Sequence, residues 1–238
     1  VFANRFTAFV DACCLVGVLK RNLLLTLAEA EFFRLRWSEP VLVETERAIQ
    51  GIYERRGAPE AAEQAKRARG KMEAAFEEAM VSDFEQYLSL CGKLPDPNDA
   101  HVVAAALKTQ ASAIVTDNLK HFPTEILAPL NLYARSADSF IADTIDLDPG
   151  RAVAAIRVMR HRFKKPEKTA ELLLLDMEAC GLTDTVSARS LRDPRKRNRA
   201  EILQAKGGFP RERNRISELI LRKPYETVDV LRSHVLSL

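Results

Sequence analysis

Glycine is scarce in this chain, 9 of 238 residues, and the glycines never gather into a loop that could wrap backbone N–H groups around a phosphate. That absence argues against a nucleotide-driven motor or a kinase. The four cysteines, Cys13, Cys14, Cys91 and Cys180, lack the paired spacing of a zinc or redox motif and are expected to be buried, reduced thiols. Four histidines show no zinc-binding spacing either. His121 and His161 are expected to be structural or surface groups, and so is His101, which could alternatively contact a phosphate from its place two residues after Asp99. No uninterrupted apolar run approaches the ~18 residues of a membrane span, and the first residues lack the basic-then-apolar layout of a secretory signal. A cytoplasmic protein that does not enter membranes is the expectation. Hydrophobic residues are plentiful, at 47%, enough for a full core within one domain plus an extension, or within two small domains.

Acids stand at four stations in the first half of the chain. Phe6-Thr7-Ala8-Phe9-Val10 is a short apolar run suited to a buried strand, and Asp11 follows it directly. Ala113-Ile114-Val115-Thr116 is a second such run, followed by Asp117 and Asn118. Ligands of open α/β sheets gather at the carboxyl ends of strands, so these two stations could share one pocket. Glu44 falls in the first turns of a helix predicted near 40–55. Asp99 follows the stiff turn Pro95-Asp96-Pro97-Asn98 and opens another helix. Carboxylates brought together without a cation repel one another, and some take up protons. A hard divalent ion such as Mg²⁺ or Mn²⁺ relieves that repulsion and makes the same acids useful for phosphodiester hydrolysis, by polarising a phosphoryl oxygen and acidifying a water. Simpler readings exist for single residues. Asp99 suits the positive end of a helix, Asp96 suits a turn or cap, and Thr116 suits a helix N-cap. None of them accounts for the fourfold pattern. Of the other enzymes with an acid after the first strand, a haloacid-dehalogenase-like phosphatase needs a second Asp where this chain has Cys13, and a phospho-accepting receiver needs an acidic pair that is absent.

The strings Phe9-Val10-Asp11, Val41-Leu42-Val43-Glu44, Pro97-Asn98-Asp99-Ala100-His101 and Ile114-Val115-Thr116-Asp117-Asn118 follow at gaps of 33, 55 and 18 residues between their acids. In that order and spacing they resemble the PIN-domain family over about residues 6–145, with the closest likeness to toxin ribonucleases of bacterial VapBC-type toxin–antitoxin pairs. The resemblance implies an α/β fold, a small parallel sheet flanked by helices, followed here by a helical C-terminal extension. It implies a Mg²⁺- or Mn²⁺-dependent ribonuclease in which Asp11, Glu44 and Asp99 match the family's first three acids. The fourth acid of the family lies two residues after the strand-ending threonine, and here that position is Asn118. Either Asn118 or Asp117 fills the station, and Thr116 would hydrogen-bond a metal-ligating carboxylate from behind. An RNA substrate, a cognate antitoxin protein that blocks the cleft, and a homodimer also follow from the resemblance. Arg5 and Lys120 are candidate electrostatic aids beside the cleft.

Periodicity predicts helices near 16–36, 40–55, 59–81 and 82–90, and strands near 6–10, 112–116 and 130–134. The domain so outlined spans 1–145. A helical extension spans 146–191, with helices over 151–162 and 167–180 and Gly181 as the stop signal. Its apolar faces suit packing on the first domain, a partner surface, or a helix-turn-helix reader of DNA. A basic tail covers 192–238. From Arg189 onward the chain has 13 Lys/Arg against 6 Asp/Glu, which leaves −4 for residues 1–188. Such a tail could neutralise RNA phosphates or remain simply solvated, since no aromatic residues interleave with the arginines of its blocks 192–199 and 211–215 to stack bases. Two alternatives therefore stand beside the nuclease: a PIN-like protein that binds RNA or a partner without cutting, and a DNA-binding regulator built on the C-terminal region.

Overall fold

The computed structural model describes residues 6–164 and 167–187, which divide into two compact units, up to residue 137 and from residue 138 onward. Arg5 and the basic tail over 192–238 lie outside the described residues.

The first unit is built on the apolar runs. β1 (Thr7–Val10) and β4 (Ala113–Val115) pair in parallel, Phe9 opposite Ile114 and Val10 opposite Val115. Phe9, Val10, Ile114 and Val115 are fully buried, as expected of strands covered on both faces. β5 (Tyr133–Arg135) extends the sheet beyond β4. On the other side of β1 lies β2 (Arg34–Ser38), followed by β3 (Met80–Val81). Among the described residues the sheet is thus five-stranded and wholly parallel, in the order β3-β2-β1-β4-β5. This is the α/β architecture expected from the sequence.

Two of these strands correct the sequence-based assignment. The helix expected near 16–36 is instead α1 (Ala12–Val16) and α2 (Val18–Glu29), separated at Gly17. The chain then reverses through a left-handed Glu31, φ 61°, into β2. Arg34-Leu35-Arg36-Trp37 alternates charge with apolar bulk, and Leu35 and Trp37 are buried. Four alternating residues are too few to outweigh the helical pattern before them. The strand forms because the edge of β1 offers unpaired backbone groups. The helix expected over 59–81 likewise stops early, as α4 (Ala61–Ala75), and Met80–Val81 join the sheet as β3 beside Trp37 and Ser38. Residues Glu85–Leu90 form a 3-10 helix where an α-helix was expected.

α3 (Glu39–Arg55) carries Glu44 and packs against α4, with Ile49, Ala65 and Ala68 as a small core. Arg69 of α4 clamps the start of α3: its Nη2 donates to both oxygens of Glu39, at 2.7 and 2.6 Å, and to Glu73 at 3.0 Å, and its Nη1 reaches Glu46 at 3.4 Å. α5 (Ala100–Lys108) is apolar and almost wholly buried between Val102 and Ala106. A short α6 (Thr124–Leu127) precedes β5.

The second unit begins within α7 (Ala137–Leu147) and continues with α8 (Pro149–Arg162), α9 (Ala170–Ala179) and α10 (Thr183–Ser187). Asp148 caps α8 by accepting from the Arg151 N–H, and Thr169 caps α9 through the Leu172 N–H. Gly181, φ 77°, ends α9 in the left-handed conformation expected of it. Asp138 reaches across to the start of α10, accepting the N–H groups of Asp184 and Thr185 at 2.8 Å each and the Thr185 hydroxyl at 2.7 Å. One carboxylate thereby serves donors that a helix N-terminus leaves unpaired.

Candidate active site

The site is assembled at the carboxyl edge of the two central strands. Asp11 extends the β1–β4 ladder, its N–H donating to the Val115 carbonyl at 3.0 Å, and its side chain then caps α1, Oδ1 accepting from the Ala12 N–H at 2.7 Å. Asp11 is 5% exposed. At its far end α1 is held by buried Arg21, whose Nη1 donates to the Leu15 carbonyl at 2.8 Å and the Val16 carbonyl at 3.3 Å, closing off groups the helix itself cannot satisfy. Thr116, fully buried at the end of β4, donates its hydroxyl to Asp11 Oδ2 at 2.7 Å. The same hydroxyl oxygen accepts the Asn118 N–H at 3.1 Å. First and last stations thus meet through Thr116.

Asp99 ends the 3-10 turn Pro97–Asp99 at the mouth of α5. Its Oδ2 lies 2.8 Å from His121 Nδ1, and Asp96, Asp99 and His121 each offer a ligand atom within 4.8 Å of the others. Burial pushes the Asp99 carboxyl above the usual carboxylate range. The His121 bond opposes that shift, while the charges of Asp11 and Asp96 reinforce it. Asp96 also does what its turn requires, accepting the Asn98 N–H at 2.9 Å. Glu44 is bonded to His101, two residues after Asp99 in the chain, whose Nε2 lies 3.1 Å from Glu44 Oε1, and neither Glu44 nor Asp11 belongs to the Asp96–Asp99–His121 group. Glu44 is the most exposed of the three, its side chain 46% accessible against 20% for Asp99.

Asp117 and Asn118 diverge. Asp117 Oδ2 pairs with Lys20 Nζ of α2 at 2.6 Å, and Oδ1 accepts the Ala137 N–H at 3.0 Å. Both of its oxygens are therefore committed to scaffold. Burial lowers the Lys20 pKa, but the bond and charge of Asp117 outweigh it and leave that pKa raised. Asn118 is exposed, and its side chain has no hydrogen-bond partner among the described residues.

Several contributors escaped sequence reasoning. His121 and His101, expected as structural, surface or phosphate-contacting groups, are each bonded to a candidate acid. Lys20 lies 97 residues from the acid it pairs with. Cys13 is half-buried rather than buried and touches Asp11, and Cys180 is exposed; only Cys14 and Cys91 match the expectation of buried thiols, and all four are free. Spacing carries no signal for these contacts, because each joins segments that only the fold brings together.

The donor set suits a hard cation. Asp11 is aimed by fixed donors, and the ionisation of Asp99 is opposed by burial and by the charges of Asp11 and Asp96; a divalent ion would relieve that opposition through oxygen ligation.

Comparison with known proteins gives matches over both units. Residues 7–120 match the family model of the PIN domain, and residues 137–190 match that of the VapC50 C-terminal domain. A relative described as "Putative ribonuclease VapC50", from Mycobacterium tuberculosis (strain ATCC 25618 / H37Rv), is 41% identical over 76 residues, a stretch covering 32% of this chain and 45% of the relative. The chain thus matches less than half of that relative's length. No solved structure matches.

Proposed function

From the premise that this chain belongs to the PIN-domain family, we propose that it is a Mg²⁺- or Mn²⁺-dependent endoribonuclease acting as the toxin of a toxin–antitoxin pair, with an antitoxin protein that covers the cleft. The observation that carries the proposal is the meeting of Asp11, Thr116 and the Asn118 backbone at one strand edge, close enough to Asp99 for the Asp11 charge to oppose its ionisation. Asp11, Asp99 and Glu44 would hold the ion, with Asn118 offering its amide oxygen. A divalent ion there supplies Lewis acidity toward a phosphoryl oxygen and acidifies a water.

The chain's own residues prepare the rest. Thr116 and the Ala12 N–H set the plane of the Asp11 carboxylate, His121 sets that of Asp99, and His101 restrains the exposed Glu44. RNA is favoured over duplex DNA because an unpaired strand can splay its backbone into a cleft lined with acids, whereas an intact duplex cannot. The relative described as "Putative ribonuclease VapC50" supports the same substrate class.

Purified full-length protein is expected to shorten a pool of cellular RNA in Mn²⁺ and to stop when EDTA is added. Cleavage that persists in excess EDTA, or no cleavage at any Mn²⁺ concentration, would reject the metal-dependent nuclease. A second reading, a PIN-like protein that binds RNA or a partner without cutting, draws on one observation: Asp117 is engaged by Lys20 and Ala137, so a neutral Asn118 stands where the family has its fourth acid.

The two adjacent residues can be separated directly. Asn118→Ala is expected to lower single-turnover cleavage by about tenfold, ~1.4 kcal/mol of transition-state stabilisation. Asp117→Ala is expected to cost less in rate, its main effect being a lower melting temperature from loss of the Lys20 and Ala137 bonds. The reverse ranking of rates, measured on one RNA at saturating Mn²⁺, would move the fourth station to Asp117.

A further inference from the structure

The thiol of Cys13 plays no part in the chemistry proposed above, yet it touches three parts of the site. It donates to Asp11 Oδ2 at 3.2 Å, lies 3.4 Å from Thr116 Oγ1, and accepts the Asp117 N–H at 3.2 Å. Asp11 Oδ2, Thr116 Oγ1 and Cys13 Sγ thus form a closed triangle, since Thr116 also donates to Oδ2. The neighbouring Cys14 belongs to the core: it is fully buried, with its sulfur 3.8 Å from that of Cys13. Successive residues of a helix point about 100° apart, so one cysteine packs inward while the other faces the acids.

An ionised carboxylate offers about four lone-pair sites. Protein donors fill three of them on Asp11: Thr116 and Cys13 on Oδ2, and the Ala12 N–H on Oδ1. The free site is therefore on Oδ1. We propose that Cys13 is a positioning residue for the metal site. Its thiol fills the second site of Asp11 Oδ2, so that the carboxylate presents Oδ1 to the ion, and its sulfur pins the Asp117 N–H, so that the Thr116–Asn118 loop stays registered on α1. The inference rests on the metal-dependent reading of the previous section. Groups that hold metal ligands in place change metal affinity by roughly 10–100-fold when removed. A thiol is a weak donor, which puts its effect at the low end of that span.

The test is a Mn²⁺ titration followed by melting temperature, on the full chain. Cys13→Ala is expected to melt near the wild-type temperature without metal, and to need about tenfold more Mn²⁺ for half of the metal-induced rise. Cys13→Ser, which restores an O–H donor to the same oxygen, is expected to return the midpoint to the wild-type value. Should the alanine variant melt too low to titrate, Cys13→Val keeps the volume without the donor and takes its place. A wild-type midpoint in Cys13→Ala or Cys13→Val, beside a normal wild-type response, overturns the positioning role alone. Equal weakening in the serine variant also overturns it, because the donor would then be irrelevant. If wild-type protein shows no Mn²⁺ response at all, the metal reading falls and this inference with it.

Discussion

Asp11→Asn is expected to abolish the stabilisation that Mn²⁺ gives the wild-type chain and to lower RNA cleavage by on the order of a thousandfold, ~4 kcal/mol of transition-state stabilisation. An ion that binds only the folded protein raises stability by about 2.7 kcal/mol at one hundred times its dissociation constant, and the wild-type melting temperature should rise accordingly. Asparagine keeps the shape of Asp11 and an acceptor for Thr116 or Ala12, but it has neither the charge nor the second acceptor oxygen. Without metal two effects oppose each other: the Thr116 hydroxyl or the Ala12 N–H loses its buried acceptor, and the like charge near Asp99 is removed. Burial and the charge of Asp11 raise the folded-state pKa of Asp99, so Asp99 favours the folded state at acid pH, and that contribution is lost as pH rises through the raised value. Removing the Asp11 charge relieves part of that loss near neutral pH. A cooperative metal-free melting transition, with no Mn²⁺ response, is the expected pair of results. A full Mn²⁺ response in Asp11→Asn would remove Asp11 from the site.

Trp37→Ala is expected to cost about 3–5 kcal/mol of stability, the range for losing a large aromatic side chain from a packed core. Trp37 is fully buried in β2 and meets Phe76 edge-to-face, ring centroids 6.0 Å apart at 79°. It sits one residue before Ser38, where β2 hands over to α3 and so to Glu44. Trp37→Phe should be far milder, under about 1.5 kcal/mol, because the indole N–H finds no acceptor among the described residues. Removing an unpaired buried donor recovers its desolvation cost and offsets part of the volume lost. Urea unfolding with an unchanged denaturant slope would measure both. Comparable losses in the two variants would mean that the N–H is satisfied, by a water for instance.

Legibility in the sequence followed the range of the interactions involved. β1 and β4 could be read because each is a continuous apolar run, and burial on both faces leaves that mark on composition. Asp11 and Thr116 were legible for the same reason, as the polar residues that end those runs. β2 and β3 were not. Arg34–Ser38 looked like the end of a helix, and two residues, Met80 and Val81, carry no period at all; their strand character comes from the backbone edge beside them. Gly181 could be read as a stop because a left-handed φ selects glycine locally.

The acids and their order were thus determined by the sequence alone, as was the α/β class. Which oxygens face one another was decided by the tertiary structure. Asp117 and Asn118 are adjacent in the chain and indistinguishable in prospect, yet Lys20 from α2 and the Ala137 N–H claim the first and leave the second without a side-chain partner among the described residues. His121 stands 22 residues from Asp99, and Cys13 stands 103 from Thr116. Bonds across such separations have no local code, because they become available only after the strands have paired and the ends of β1 and β4 lie side by side.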